Sequence, residues 1–174
     1  AAKQNIQEYS IYGTVGNATF DGDVNVVSGS CSYQNQCCAT SEFGLGYVYS
    51  ASFQATFMGL NIGRNSWKGL TITPYVEIDG VVIPVGVFTI EKADHTAGIV
   101  AVTAFDNMKK FTKPAAVTIG MNEKPYDWLA LACEECNVVL GMTRAEVESL
   151  PNGNSYLPLS EMGDIEAWID VLYW

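Results

Sequence analysis

Long apolar runs, basic charge and histidine are all scarce in this chain of 174 residues. No apolar run reaches the roughly 18 residues that a membrane-spanning helix needs, so no membrane span is expected. Nine lysines and arginines stand against nineteen aspartates and glutamates, and the net charge of −10 argues against nucleic-acid binding. The N-terminus, Ala-Ala-Lys-Gln-Asn, has no apolar segment, so no signal peptide is visible.

The chain is rich in core-forming residues. Hydrophobic residues make up 48% of it and charged residues only 16%, which predicts a folded domain with a packed core rather than disorder. The acids are uneven along the chain. Residues 121–174 hold ten acids and two bases, a net charge of −8, which marks a distinct acidic region.

Residues 18–112 carry the pattern of β-strands. Alternate residues of Ala51–Phe57 are apolar, which predicts a half-buried strand. Asp79-Gly80 separates two β-branched runs and predicts a hairpin turn. Ala93–Gly98 predicts a second, longer turn. Ile99–Phe105 is apolar on both faces, so we expect a core on one side and a partner or second layer on the other.

Beyond Phe111 the pattern is helical. A helix is predicted from Pro125, with one apolar face made by Leu129, Ala132, Cys133 and Cys136. The sequence Thr143-Arg-Ala-Glu predicts a capping box for a short helix that ends at Pro151-Asn-Gly. Asp164 is expected to cap a third helix with one apolar stripe made by Ile165, Trp168, Ile169 and Leu172.

These patterns predict an α+β fold, mainly β: an antiparallel β-barrel or sandwich followed by a short helical segment. We expect an N-terminal arm over residues 1–17, a barrel-like domain over 18–113 and an acidic helical segment over 114–174. The apolar stripe runs to Trp174 with no polar tail. We therefore expect the chain to be the N-terminal fragment of a longer protein, with a further domain cut at this point.

The five cysteines leave two interpretations open. Cys133 and Cys136 have metal-ligand spacing, and with Cys31 and Cys37 they would supply the four thiolates of a structural zinc site. The favoured interpretation is buried thiols, because Cys133 and Cys136 lie on the apolar stripe of a predicted helix. The odd count and the missing signal peptide argue against disulfides.

No catalytic constellation is evident, so we predict no enzymatic activity and no cofactor. The single histidine, His95, falls in a predicted polar turn, where no scaffold would position it. Glu134, Glu135, Glu146 and Glu148 are expected on solvated helix faces. Asp21-Gly-Asp resembles part of a calcium loop, but the pattern is not completed, which favours a tight turn.

Apolar and aromatic side chains point to partners instead. Nine tyrosines and four tryptophans suit either a carbohydrate-binding platform or a protein interface. Eight side chains on the last predicted strand and on the last predicted helix are the interface candidates: Ile99, Val100, Val102, Phe105, Trp168, Ile169, Leu172 and Trp174.

Eight segments, in this order and spacing, resemble the tail-hub or tail-tip proteins of phages and prophages of Gram-positive bacteria, which are related to the baseplate hub of contractile tails. The segments cover most of residues 18–172. They are Phe20-Asp-Gly-Asp, Ser28-Gly-Ser-Cys-Ser, Phe43-Gly-Leu-Gly-Tyr-Val-Tyr-Ser-Ala-Ser-Phe, Ile72-Thr-Pro-Tyr-Val, Pro84-Val-Gly-Val-Phe-Thr-Ile, Val102-Thr-Ala-Phe-Asp-Asn-Met-Lys-Lys-Phe111, Pro125-Tyr-Asp-Trp-Leu and Leu140-Gly-Met.

The resemblance implies a structural function. Such hubs are trimers whose barrel domains form a ring that joins the tail tube to the distal tip. It implies self-association, contacts with other tail proteins and a place in the virion tail tip after synthesis in the bacterial cytoplasm. The alternative is a carbohydrate- or cell-surface-binding module that uses exposed tyrosines and tryptophans.

Overall fold

The computed structural model describes residues 8–35, 50–115, 123–156 and 165–172. These residues form two compact units. The first, here called the sheet unit, contains residues 8–35 and 50–107, and the second, the helical unit, contains residues 108–115, 123–156 and 165–172. The predicted boundary at residue 113 lies slightly beyond the last residue of the sheet unit.

The described part of the sheet unit holds eight strands and one short helix, α1. The strands are antiparallel and follow the order β2-β1-β5-β7-β8-β4-β3, with β6 also paired to β5. Their bounds are β1 Tyr9–Val15, β2 Ala18–Asp21, α1 Gly22–Asn25, β3 Ser32–Gln34, β4 Ser52–Met58, β5 Thr71–Ile78, β6 Val81–Pro84, β7 Phe88–Thr96 and β8 Ile99–Phe105.

This architecture confirms the predicted α+β, mainly β class. It also corrects the predicted N-terminal arm over residues 1–17. Strand β1 lies inside that range, and it pairs with β2 on one edge and with β5 on the other. Gly13 makes this pairing possible, because a Cβ at that position would stand 2.2 Å from the Thr73 carbonyl oxygen.

The sheet curls around an aromatic core. Rings of Phe20 on β2 and Phe57 on β4 meet edge to face at 5.1 Å between centroids, although these strands stand near opposite ends of the sheet. Val27 donates its N–H to the Thr56 carbonyl at 2.9 Å. Among the described residues no ladder joins β2 to β3, so the structure shows a curled sheet and does not confirm a closed barrel.

The predicted strand Ala51–Phe57 is confirmed in its essential feature. Its four alternating apolar residues are all buried, and the residues between them are exposed or half-buried. The Asp79-Gly80 turn is also confirmed, with φ of 48° and 81° at its two residues. Both values lie in the left-handed region that such two-residue hairpin turns require.

The second predicted turn is much shorter than expected. Strand β7 continues through Thr96, and the chain reverses at Ala97 and Gly98, whose φ values are 47° and 86°. His95 therefore lies on a strand rather than at a polar tip. The register pairs it with Val100 on β8, and Val100 pairs with Phe57 on β4. Long-range pairing extends β7 through polar residues that predict a turn when considered alone.

A 3-10 helix, Asn107–Thr112, begins at the last residue of the sheet unit and otherwise belongs to the helical unit. The described part of the helical unit also contains helices α2 (Pro125–Glu135), α3 (Arg144–Glu148) and α4 (Trp168–Leu172). The helix from Pro125 is confirmed, as is the Thr143–Glu146 capping box. The predicted cap Asp164 lies outside the described residues. The Asp170 carboxylate instead accepts the N–H groups of Glu166 and Ala167 at 3.0 and 2.8 Å.

The helical unit has its own core. Two tryptophans, Trp128 on α2 and Trp168 on α4, are each 2% exposed. The remaining buried members of this core are Phe111, Ala132, Cys133, Cys136 and Val171. No helix within the described ranges is long and apolar enough to cross a membrane.

Candidate interaction surface

The interface candidates on β8 divide between the two faces of the strand. Val100 and Val102 point into the core of the sheet unit and are buried there. Ile99 and Phe105 lie on the opposite face and are half-buried, with Ala101 exposed between them. The proposed role of Val100 and Val102 in an interface is therefore wrong, because a fold-internal core already covers them.

The candidates on α4 pack within the helical unit. Trp168 is buried in its core, and Ile169 and Leu172 are half-buried against the same core. Trp174 lies outside the described residues. Trp168 is thus not the exposed apolar anchor that the stripe predicted, because the stripe faces α2 rather than a partner.

An apolar surface that the sequence analysis missed lies where β1, β5 and β6 run beyond the core. Register places Tyr9, Ile78 and Val81 in one row across the three strands, and Ile11, Val76 and Ile83 in a second row on the same face. These six residues are here called the apolar extension. Tyr9 is 76% exposed, Val81 62% and Ile83 44%.

The apolar extension continues the inner face of the sheet. The next two rows on that face hold Gly13 beside Pro74 and Val15 beside Ile72, all of them buried. The face therefore passes from a closed core to open solvent along the same strands. Contiguous exposed apolar patches are uncommon on the surface of a monomer, so the apolar extension is a candidate contact surface.

A cleft lies beside the apolar extension. It has a volume of about 520 Å³, and Tyr9, Ile11 and Val76 line it on one side. The opposite side is formed by the segment that follows β2, including Val26, Val27 and half-buried Cys31. The lining combines these apolar side chains with Ser10, Asp23 and Ser28, so the cleft fits a chain segment that carries both apolar and polar groups.

Hydrogen bonds hold the end of the hairpin in place. The Asp79 backbone N–H donates to the Glu8 carbonyl at 3.1 Å, and the Asp79 carboxylate accepts the Glu8 N–H at 3.1 Å. Stacked rings of Tyr12 and Tyr75, with centroids 5.8 Å apart, brace the other face. These contacts hold the strands of the apolar extension in a fixed arrangement. Its signal in the sequence is the unbroken apolar run Val81-Val-Ile-Pro-Val, which lacks the alternation of a half-buried strand.

The cysteines lie in apolar surroundings. Burial raises the pKa of the Cys31, Cys133 and Cys136 thiols, which keeps them protonated at neutral pH. Cys37 and Cys38 lie outside the described residues. Within the described ranges no group of three metal-ligating side chains occurs.

Three of the acids that the sequence analysis considered have partners within the fold. Glu146 closes the capping box, and the backbone N–H of Thr143 lowers the pKa of its carboxyl. Glu148 lies 3.7 Å from the Lys124 ammonium. Asp21 accepts the Asp23 N–H at 2.9 Å and caps α1, which agrees with a local turn rather than a calcium loop.

The predicted carbohydrate-binding platform requires exposed aromatic side chains, and the described tryptophans are not exposed. Trp67, Trp128 and Trp168 are buried in the cores of their units, and Trp174 lies outside the described residues. The alternative of a glycan-binding surface built on exposed tryptophans is therefore wrong for these three. Exposed tyrosines do occur, at Tyr9, Tyr33 and Tyr156.

Comparison with solved structures identifies a similar fold. The chain is similar to the 43 kDa tail protein of prophage MuSo2 from Shewanella oneidensis, with a TM-score of 0.51 and 9% sequence identity. The match covers 95% of this chain and 48% of that protein, so this chain spans about half its length. No protein-family model and no curated protein matches the sequence. The fold of this chain is thus similar to that of this prophage tail protein.

Proposed function

We propose that this chain is a structural component of a phage or prophage tail tip. It serves there as a hub-like ring subunit that joins the tail tube to the distal tip, and this region of the protein catalyses no reaction. The likeness in fold to a prophage tail protein supports a place in a tail. The eight segments quoted above support the hub-like position and a Gram-positive host.

The apolar extension is the observation that carries this proposal. Its two cross-strand rows present apolar side chains to water beside an open cleft. Covering such area is worth about 25 cal/mol per Å², so association has a clear driving force. A ring subunit needs such a surface, because its neighbours complete the burial that its own fold leaves undone.

The partner of the apolar extension is a second copy of this chain. Strand β6 pairs with β5 along one edge, and among the described strands nothing pairs with its other edge. A free edge next to an apolar face invites strand addition or face packing by a neighbour. In a ring of three copies, each subunit covers the apolar extension of the next, so all three extensions are buried to the same extent.

The shifted pKa values of the described groups have local structural causes. Each shifted acid or base described here has a local structural cause: Arg144 and Asp127 pair with each other, and Glu146 caps a helix. The raised thiol pKa values come chiefly from burial.

Sedimentation of the whole chain across a wide concentration range tests the proposal. We expect self-association to weaken in the double variant Val81→Lys/Ile83→Lys, which places two charges in the apolar extension. Thr19→Lys/Gln54→Lys adds the same charge at exposed positions of β2 and β4 and should associate like the parent. A parent that stays monomeric throughout, or a control variant that dissociates equally, would contradict the assembly role.

The genes that flank the coding sequence provide an independent test of the tail assignment. We expect tail-tube and tape-measure genes upstream. A neighbourhood of metabolic genes without any virion component would contradict the tail role, whatever the sedimentation result.

A further inference from the structure

A second cavity lies at the C-terminal end of β7. It is formed by the β7–β8 hairpin and the loop between β4 and β5. Its volume is about 290 Å³. Leu60, Ile62 and Trp67 supply apolar walls, and Arg64 and His95 supply polar groups. All of these residues belong to the sheet unit, so the cavity is built within one compact body.

The loop that carries Arg64 is firmly placed. A turn closes around Arg64, because the Ser66 N–H donates to the Gly63 carbonyl at 2.9 Å. Trp67 follows directly and is 2% exposed, with its ring 5.9 Å from that of Phe57 in the core. Gly69 then donates to the Ile90 carbonyl at 2.8 Å. Arg64 therefore projects from a loop that is anchored on both the core and the sheet.

His95 is placed by the sheet. It shares a row with Val100 and Phe57, and its ring stands edge-on to Trp67 at 6.4 Å between centroids. A strand position and an aromatic neighbour restrict the imidazole far more than a turn tip would. His95 lines the cavity together with Ala97 and Gly98, and an imidazole carries a nitrogen that can donate a hydrogen bond.

The electrostatics of this cavity differ from those of the chain as a whole. The net charge of the protein is −10, yet no carboxylate occurs among the described residues that line the cavity. Arg64 has no ion pair with any described residue. Asp94, the acid nearest in sequence to His95, pairs with Lys92 at 2.6 Å and is exposed. One permanent positive charge therefore stands available beside apolar walls.

We propose that this cavity binds a small monocarboxylate whose body is an apolar ring or a group of similar size. The planar guanidinium of Arg64 matches a carboxylate, and a single permanent charge matches a monoanion. His95 contributes the second donor. Leu60, Ile62 and Trp67 contact the body of the ligand. The volume lies just below the range of about 300–1,000 Å³ that is typical of ligand sites, which limits the occupant to one ring.

An NMR titration of the whole chain with sodium cyclohexanecarboxylate, at constant ionic strength, tests this site. We expect saturable shifts in the Arg64 side-chain N–H and in the amides of Ala97 and Gly98. The neutral analogue cyclohexanecarboxamide should produce no comparable shifts. Arg64→Gln should weaken binding about tenfold or more, because it removes the charge-assisted pair.

Lys68→Gln is the matched control, because it removes the same charge from an exposed position in the same loop outside the cavity lining. It should leave the affinity unchanged. His95→Phe keeps a ring against Trp67 and should weaken binding while the melting temperature stays the same.

Three results would overturn the proposal: no saturable shift, equal loss in the Lys68 and Arg64 variants, or acetate binding as tightly as cyclohexanecarboxylate. Tighter binding of glucuronate, whose ring carries hydroxyl groups, would overturn the apolar part of the assignment. The sedimentation test of assembly is independent of each of these results.

Discussion

The sheet unit and the helical unit are stabilised by different means. The sheet unit gains its order from strand ladders between segments far apart in the chain and from a core of packed rings, including Phe20, Phe53, Phe57 and Phe88. Within the described residues, the α-helices of the helical unit have 11, 5 and 5 residues, which is too short to be stable alone. It relies on side-chain contacts that join one short helix to another.

Arg144 illustrates those contacts. Its guanidinium forms hydrogen bonds with the Asp127 carboxylate, lies 3.6 Å from Glu148 and stands 4.4 Å above the Tyr126 ring. One side chain thus links α3 to α2. The comparison shows why strands can extend beyond the core with exposed apolar side chains, as in the apolar extension: backbone hydrogen bonds between the strands still hold them in place. Short helices lack hydrogen bonds to neighbouring segments of this kind, so they depend on side-chain packing for their stability.

The largest expected effect comes from breaking the core of the sheet unit. Phe57→Ala removes a ring that contacts Phe20 and Trp67, and we expect a loss of about 3–5 kcal/mol in the free energy of unfolding. Urea denaturation measures it. Met58→Ala, at the next and exposed position of the same strand, is the control. Equal losses in the two variants would contradict the assignment of Phe57 to the core.

The second effect compares two tryptophans of the helical unit. The Trp128 indole N–H is buried without a hydrogen-bond partner, which is costly. Trp128→Phe removes that donor together with some volume, so we expect it to destabilise the protein less than Trp168→Phe, by about 1 kcal/mol. Thermal unfolding of the two variants gives the difference. A larger loss at Trp128 would show that packing volume outweighs the unpaired donor.

A smaller effect is expected at the start of α3. Thr143 Oγ1 accepts the Glu146 N–H at 3.3 Å and donates to the Glu146 carboxylate at 2.8 Å. Thr143→Ala should cost about 1 kcal/mol of stability, whereas Thr143→Asn retains a capping side chain and should cost much less. Chemical denaturation of both variants checks this order. Equal costs would argue against capping as the cause.

The smallest effect is a pH dependence of the helical unit. The hydrogen bond from Arg144 holds the pKa of the Asp127 carboxyl below its usual value. The ionised Asp127 carboxylate therefore contributes its full share to the free energy of unfolding above the unfolded pKa of about 4. This share is lost as the pH falls through the lower pKa of the folded state. Arg144→Gln should flatten this acid-induced loss in unfolding experiments. Arg64→Gln, in the sheet unit, should retain the full slope, and a flattened slope there would refute the pairing.

Local patterns predicted much of the fold. The alternation in Ala51–Phe57, the Asp79-Gly80 turn and the Thr143–Glu146 capping box were each recognised, because each depends on residues that are neighbours in the chain. Whether an apolar side chain packs inside its own unit or against a partner was harder to predict. Val102 and Trp168 were expected at interfaces, yet both are buried within their own units. An apolar side chain carries no mark that distinguishes an internal contact from an external one.

The sequence by itself determined the mainly β class, the acidic balance, the helix from Pro125 and the capped helix after Thr143, since composition and short-range patterns suffice for these. Only the tertiary structure decided which apolar rows stay open and which groups share a cavity. Pairing of β5 with both β1 and β6 places Tyr9 and Val81 in one exposed row. Pairing of β7 with β8 places His95 beside Trp67. Such juxtapositions arise from contacts between distant segments, which no local pattern encodes.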